Sequence, residues 1–547
     1  MLTFALFIIL TAVALPSVYA TPALLTRVTV LTLFSAATLA ANAYSWEGLG
    51  SGLGLYSGLI DLNGLSISAQ VFLLVIGGVA LIQWAPSNYS SVANAPNLYE
   101  SIVKPVKFNE SPYNTPRIST YPVFALISTM GGCLLVGSGD MVTLYLALEL
   151  QSFAVYVLAA LYRDSESATH SGLLYFLLGG LSSCLILFGF AVIYNQTGIT
   201  NIESLVTLLS VTTSETLTIN WALALGIIGI MTGILFKVTA APFHNWGPDV
   251  YDGVPTVVTT WIAVIPKISV LTLLYTLSSG FMNVLPILVN SITYDVWTLV
   301  LIMSSTLSLI VGAIVGLAQR RIKRLFAYST VSHIGFMLLA ISINSPEATS
   351  AFIFYLVQYT LTAILSFSLL GAISYSTPRY GEMSHDVSLI SQLSGLRYNN
   401  LPMAMSLIVI LFSLAGVPPL LGFFGKLEVL YSAMSSGYYF ISLIAVLSSV
   451  ISASYYLNVI RVSWFDSNES NNTIKTNFFA YPYKEAVTEP GVSLYGYDYT
   501  HQALGITAVQ SYVIALLTLI LGLYMVSPNL LLDSARLLAL SLFNVLL

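Results

Sequence analysis

The sequence predicts an all-α polytopic membrane protein, and three observations carry that prediction. Of the 547 residues, 56% are hydrophobic and only 7% charged, with a mean hydropathy of +0.85; soluble domains carry about a quarter charged residues. Apolar runs of about 20 residues, the length that crosses a bilayer as a helix, recur along the chain. The Lys and Arg residues collect in alternate connections between those runs, as in proteins inserted from one side of a membrane. A net charge of -5 without a basic face excludes a nucleic-acid partner and leaves membrane lipids as the expected surroundings.

Taken in order, the apolar runs are 2–20, 23–43, 65–85, 121–138, 140–161, 170–194, 220–242, 254–279, 296–317, 322–343, 349–375, 401–435, 438–463 and 505–526, about fourteen transmembrane helices. The first ends in SVYA and imitates a secretory leader, but no Lys or Arg precedes Arg27, so it reads as a first helix. Two long polar stretches, 86–120 and 466–501, read as loops rich in Asn, Ser, Pro and Tyr, and their sequons at Asn109, Asn468 and Asn471 read as chance matches. Four regions follow: 1–120 with helices one to three and a polar loop, 121–280, 281–465, and 466–547 with a polar loop, helix fourteen and a tail. Cys133 and Cys184 lie in apolar runs without ligand spacing and read as small core residues.

The basic residues test this division. Arg27 follows run one; Lys104, Lys107 and Arg117 follow run three; Arg163 follows run five. Arg320, Arg321, Lys323 and Arg324 follow run nine, Arg379 and Arg397 run eleven, and Arg461, Lys475 and Lys484 run thirteen. The even-numbered connections from run two to run twelve hold none, so the odd loops lie inside and the N-terminus outside. Arg536 is in the tail. Lys237, Lys267 and Lys426 have no loop to occupy.

Runs seven and twelve are interrupted by proline close to a lysine, Pro242 after Lys237 and Pro418-Pro419 before Lys426. Proline removes a backbone donor and clashes with the preceding turn, and freed backbone groups at membrane depth are tolerated only against protein or a water-filled cavity. Broken helices 7 and 12, five apart, predict two inverted five-helix repeats, spans 4–8 and 9–13, with the site at the breaks.

An ionisable residue inside a bilayer costs at least about 2.5–3.5 kcal/mol, which makes each one a functional candidate. Glu149, half-way through run five, is either a carboxylic acid satisfied by Ser and Tyr hydroxyls or the ion-pair partner of a buried lysine. Lys237, Lys267 and Lys426 are the candidate proton carriers. His333, among serines, is either a hydrogen-bonded core histidine or a relay. Glu428, two residues from Lys426, faces elsewhere and reads as a packing or capping residue. His244 reads as a structural pin at the break, and Asp249 and Asp252 as caps for the following helix. A Cys cluster, a dinucleotide fingerprint, a Walker loop and a haem-spaced His pair are all missing, so any electrons pass through another polypeptide.

FKVTAAPFHNWGPDVYDGVPT, from Phe236 to Thr256, resembles the K-x(4)-PFH-x-W-x-PD-x-Y-x-G-x-PT signature of the antiporter-like membrane-arm subunits of respiratory complex I, NADH:ubiquinone oxidoreductase. Valine-tyrosine after Pro248-Asp249 resembles the chain 2 group; RRIKRLFAYSTVSHIG and AGVPPLLGFFGKLEVL extend the match. The resemblance implies that Glu149 is the helix-five glutamate and that Lys237, Lys267 and Lys426 are the lysines of helices seven, eight and twelve. His333 is similar to the polar residue between the last two. It implies a proton-translocating subunit of a hetero-oligomer with other membrane-arm subunits, multi-pass in the mitochondrial inner membrane or, as the second setting, a bacterial plasma membrane. NADH, FMN, iron–sulfur clusters and ubiquinone are then expected in other subunits, with no cofactor or metal in this chain. The alternative under the same signature is a subunit of a multi-chain Na+/H+ antiporter.

Overall fold

The computed structural model describes residues 1–15, 22–43, 52–82, 116–163, 165–215, 221–282, 286–289, 292–376, 386–466 and 508–544. Each predicted apolar run contains a helix. In order these are α1 (Leu2–Ala14), α2 (Pro22–Ala43), α3 (Gly64–Ile82), α4 (Pro116–Val136), α5 (Met141–Ala160) and α6 (Glu166–Thr197). Then come α7 (Ile202–Glu215), α8 (Trp221–Val238), α9 (Trp246–Gly253), α10 (Thr256–Phe281), α11 (Val296–Leu317), α12 (Ile322–Ile343) and α13 (Pro346–Ser376). The short α14 (Leu396–Asn399) leads into α15 (Leu401–Ala415), α16 (Leu421–Ser435), α17 (Tyr439–Trp464), α18 (Ala508–Gly522) and α19 (Asn529–Asn544). Two antiparallel hairpins, β1 (Leu53–Leu55) with β2 (Ile60–Leu62) and β3 (Pro286–Val289) with β4 (Ile292–Asp295), complete the described chain.

Ten helices among the described residues are long and apolar enough to cross a membrane, fewer than the fourteen runs suggested. The four shorter ones are α1, the apolar part of α4, α15 and α18. For α15 the reason is the break: at about 1.5 Å per residue, neither α15 nor α16 alone covers the roughly 30 Å hydrocarbon core. Both breaks fall where the prolines placed them. Run seven stops at Val238, turns through residues 239–245 with Thr239 at φ 68, and resumes as α9; run twelve turns at Gly416, φ 84, and resumes as α16.

The connections gather by parity. Loops after runs two, four and six meet at one end, where Leu59 accepts from Gly139, Gly139 accepts from Ile202, and the Asn201 side chain donates to Gly58. Loops after runs seven, nine and eleven meet at the other, where Ile322 donates to Ser388 and Arg321 pairs with Asp252. The core sits on α10, α12 and α13, which are almost wholly buried, while α2, α6 and α17 turn long apolar faces outward.

Several sequence expectations fall differently. Cys133 is half-buried as a small packing residue, but Cys184 lies exposed on α6, on the same outward surface as Leu177, Leu181 and Phe188. The tail forms the helix α19, and its Arg536 meets Glu428 at 3.4 Å, so Glu428 is an ion-pair partner and not a cap. The three sequons lie outside the described residues.

Candidate functional site

The Asp140 carboxylate caps α5, accepting from the Val142 backbone at 2.7 Å, and projects Glu149 and Tyr156 on one face two turns apart. Lys237 lies in the last turn of α8, where the partial negative charge of the helix end favours a cation. Its Nζ donates to the Tyr156 hydroxyl at 2.8 Å and stands 4.0 Å from Glu149 Oε1. Ser152 donates to the other carboxylate oxygen at 3.4 Å. Glu149 Oε1 itself has no hydrogen-bond partner among the described residues.

The break after Lys237 is held by Trp246, whose indole N–H donates at 2.9 Å to the Phe236 carbonyl, which also accepts from the Thr239 backbone at 3.1 Å. Trp246 stacks on Tyr175 at 4.5 Å, and Tyr175 meets Tyr156 edge-on at 4.7 Å. His244 sits half-buried beside the Tyr328 ring, consistent with its expected place as a pin.

Lys267, on α10, donates to the Tyr359 hydroxyl at 3.1 Å and lies 5.3 Å from the Tyr251 ring and 5.5 Å from the Tyr359 ring, aromatic faces that attract an ammonium. His333, on α12, bonds through Nδ1 to the Tyr355 hydroxyl at 2.8 Å, and its ring lies 6.0 Å from that of Tyr359. Its Nε2 is buried without a partner among the described residues. A small cavity bounded by Ser329, Thr330, Ser366, Tyr359 and Leu414 opens beside it.

Lys426, on α16, reaches back across Gly416 to donate to the carbonyls of Leu414 and Ala415 at 2.9 and 2.8 Å. These are the open carbonyls at the C-terminal end of α15, the electronegative pole of that half-helix. Glycine suits position 416. Its φ is 84°, and a Cβ there would stand 2.9 Å from Lys426 Cδ.

All five predicted residues are therefore inside the bundle, at 2 to 9% exposure. Glu149 and Lys237 face each other at 4.0 Å; Lys267 and His333 meet through Tyr359; Lys426 is drawn to the second break. The tyrosines that join them went unread in the sequence because tyrosine counts as apolar in hydropathy, although Tyr355 and Tyr359 are one turn apart on α13.

A second charged cluster was also missed. Lys323, assigned to a loop, is buried and donates to Asp386 at 2.6 Å and to the Val254 carbonyl at 2.9 Å. Asp386 accepts from the Thr256 backbone and hydroxyl, so Asp386 caps α10; Asp249 and Asp252, expected as its caps, pair with Arg324 and Arg321. A carboxylate brought from a distant loop serves the helix start better because Asp252 is taken by two guanidinium groups. Burial pushes the Asp386 carboxyl up, but the Lys323 ammonium and the Thr256 donors outweigh it and hold its pKa below the ordinary 3.8.

Residues 138–452 match the family described as NADH:quinone oxidoreductase/Mrp antiporter, TM. The chain is 42% identical over 546 residues to the NADH-ubiquinone oxidoreductase chain 2 of Rhizopus oryzae, spanning 99% of this chain and 98% of that protein. The chain belongs to the NADH-ubiquinone oxidoreductase chain 2 family. Another relative, NADH-quinone oxidoreductase subunit N of Paramagnetospirillum magneticum, is 40% identical over 347 residues, 63% of this chain and 68% of that one. A chain of respiratory complex I from Thermus thermophilus with bound aureothin shares the fold of this family, with a TM-score of 0.68 at 23% identity over 97% of this chain and 99% of that chain.

Proposed function

We propose that this chain is a proton-translocating, non-redox membrane subunit of NADH:ubiquinone oxidoreductase, working beside other membrane-arm subunits in the mitochondrial inner membrane. The observation that carries the reading is the set of five buried ionisable side chains, Glu149, Lys237, Lys267, His333 and Lys426, of which Lys237, Lys267 and His333 each bond a tyrosine hydroxyl. Both relatives named above support the same assembly, and the Rhizopus oryzae one supports the membrane. Two broken helices, each presenting a lysine at its break, support the division into inverted units at 121–280 and 281–465. NADH, FMN, iron–sulfur clusters and ubiquinone belong to other subunits on this reading.

Quinone reduction elsewhere strains the Glu149–Lys237 pair. Separating the carboxylate from the ammonium removes the charge that favours the protonated amine, so Lys237 gives up its proton. The proton passes by waters, Lys267 and His333 to Lys426, which releases it to the positive side. Each charge moved against the potential costs about 2.3 kcal/mol per 100 mV. Lys237→Met in the whole complex, reconstituted in liposomes, is expected to assemble but to pump poorly per NADH; assembled complex with normal pumping and turnover would refute the assignment. The antiporter reading draws on the shared family description. Its mark is proton movement driven by a sodium gradient in the absence of NADH and quinone.

A further inference from the structure

Gln358 lies on α13, one turn from Tyr355 on the same face, and is fully buried. Neither its amide nitrogen nor its amide oxygen has a partner among the described residues, and the same is true of the buried Ser413 hydroxyl at the end of α15. A buried amide without hydrogen bonds is costly and rare, so an unpaired pair of donor and acceptor marks a place where water completes the set. Two glycines of α16 make the room. A Cβ on Gly425 would collide with the Gln358 amide oxygen and lie 3.1 Å from the Tyr355 ring, and a Cβ on Gly422 would strike the Ser413 carbonyl and lie 3.1 Å from the Gln358 nitrogen. The amide therefore sits between Tyr355, which bonds His333, and the turn of α16 that carries Lys426.

We propose that Gln358 is a positioning residue for proton transfer: its amide, with the Ser413 hydroxyl, orients the water that hands a proton from the His333–Tyr355 pair to Lys426. An N–H or O–H bond of the protonated His333–Tyr355 pair breaks as an O–H bond forms on that water, and another of the water's O–H bonds breaks as an N–H bond forms on the neutral Lys426 amine, which becomes the ammonium; the donor pair is left one proton poorer and the amide is unchanged. The inference rests on the proton-translocating reading above.

The test uses the whole complex in liposomes, with NADH-driven pumping and quinone reduction measured in H2O and D2O. Gln358→Leu keeps the volume and removes both polar atoms. Turnover per assembled complex is expected to fall by about tenfold, as for loss of two positioned hydrogen bonds, with a larger solvent isotope effect and unchanged affinity for quinone. Ser413→Ala removes a hydroxyl that bonds nothing in the described protein, so it leaves assembly intact; it is expected to raise the isotope effect in the same direction and carries the test if the Gln358 variant does not accumulate. Wild-type turnover and isotope effect overturn the proposal, as does slower turnover with an unchanged isotope effect, the mark of a merely structural amide. Lys426→Met is the control: impaired there and normal in both variants, the proton-translocating reading survives and the role of Gln358 does not; normal in all three, both are gone.

Discussion

Gly416→Ala isolates the contribution of the second break to the site. Alanine at a φ of 84° costs about 1–2 kcal/mol in backbone strain. Its methyl carbon would stand 2.9 Å from Lys426 Cδ and 3.3 Å from Nζ, so the ammonium must leave at least one of the carbonyls of Leu414 and Ala415. A hydrogen bond to a charged group contributes about 1.5–3 kcal/mol, which brings the total to about 2.5–5 kcal/mol. The strain lowers the stability of the subunit; the displacement acts on proton transfer, with a loss of roughly 10- to 150-fold in turnover. Native electrophoresis measures assembled complex, and NADH:quinone turnover is then expressed per assembled complex. Adding Gly416→Ala to Lys426→Met is expected to cost little further turnover, because the ammonium that Gly416 leaves room for is already gone. Unchanged turnover per assembled complex in Gly416→Ala, or full additivity in the double variant, would show that the position of Lys426 does not matter.

Tyr156→Phe removes the hydroxyl that holds Lys237 at 2.8 Å while keeping the ring against Tyr175. Pumping is expected to fall about tenfold, the effect of one charged hydrogen bond, with normal assembly; an unchanged proton-to-electron ratio and rate would remove Tyr156 from the row. For Asp386, the folded pKa lies below the ordinary 3.8. Its contribution to stability is therefore complete above 3.8 and is lost only as pH falls through the lower, folded value. Asp386→Asn is expected to lower thermal stability at neutral pH, leaving Lys323 without its carboxylate, and to flatten the acid limb of the stability profile. Identical inactivation curves for the variant and the native complex across that range would contradict the capping role.

The fold was legible because a bilayer makes hydropathy and proline placement nearly sufficient: each apolar run became a helix, and Pro242 and Pro418-Pro419 marked both breaks. Ten of the fourteen runs hold a helix long enough to cross on its own among the described residues, and run twelve is divided between α15 and α16. The five charged candidates stood out by their cost in an apolar setting. Their connectors did not, because Tyr156, Tyr355 and Tyr359 look apolar along the chain and become polar only through what their hydroxyls face. Lys323 was hidden for the opposite reason. It sits among three arginines at a loop, and only the return of residues 386–389 beside α12 buries it against Asp386. Glu428 likewise depended on α19, a helix the sequence reading left as tail.

A continuous wet seam along the buried row is tested most directly by a map of the whole complex that resolves ordered water. Waters are expected within about 3 Å of Glu149 Oε1, His333 Nε2, the Gln358 amide and Ser413 Oγ, each of which lacks a partner among the described residues. Side chains or lipid packed dry against those four groups would contradict it.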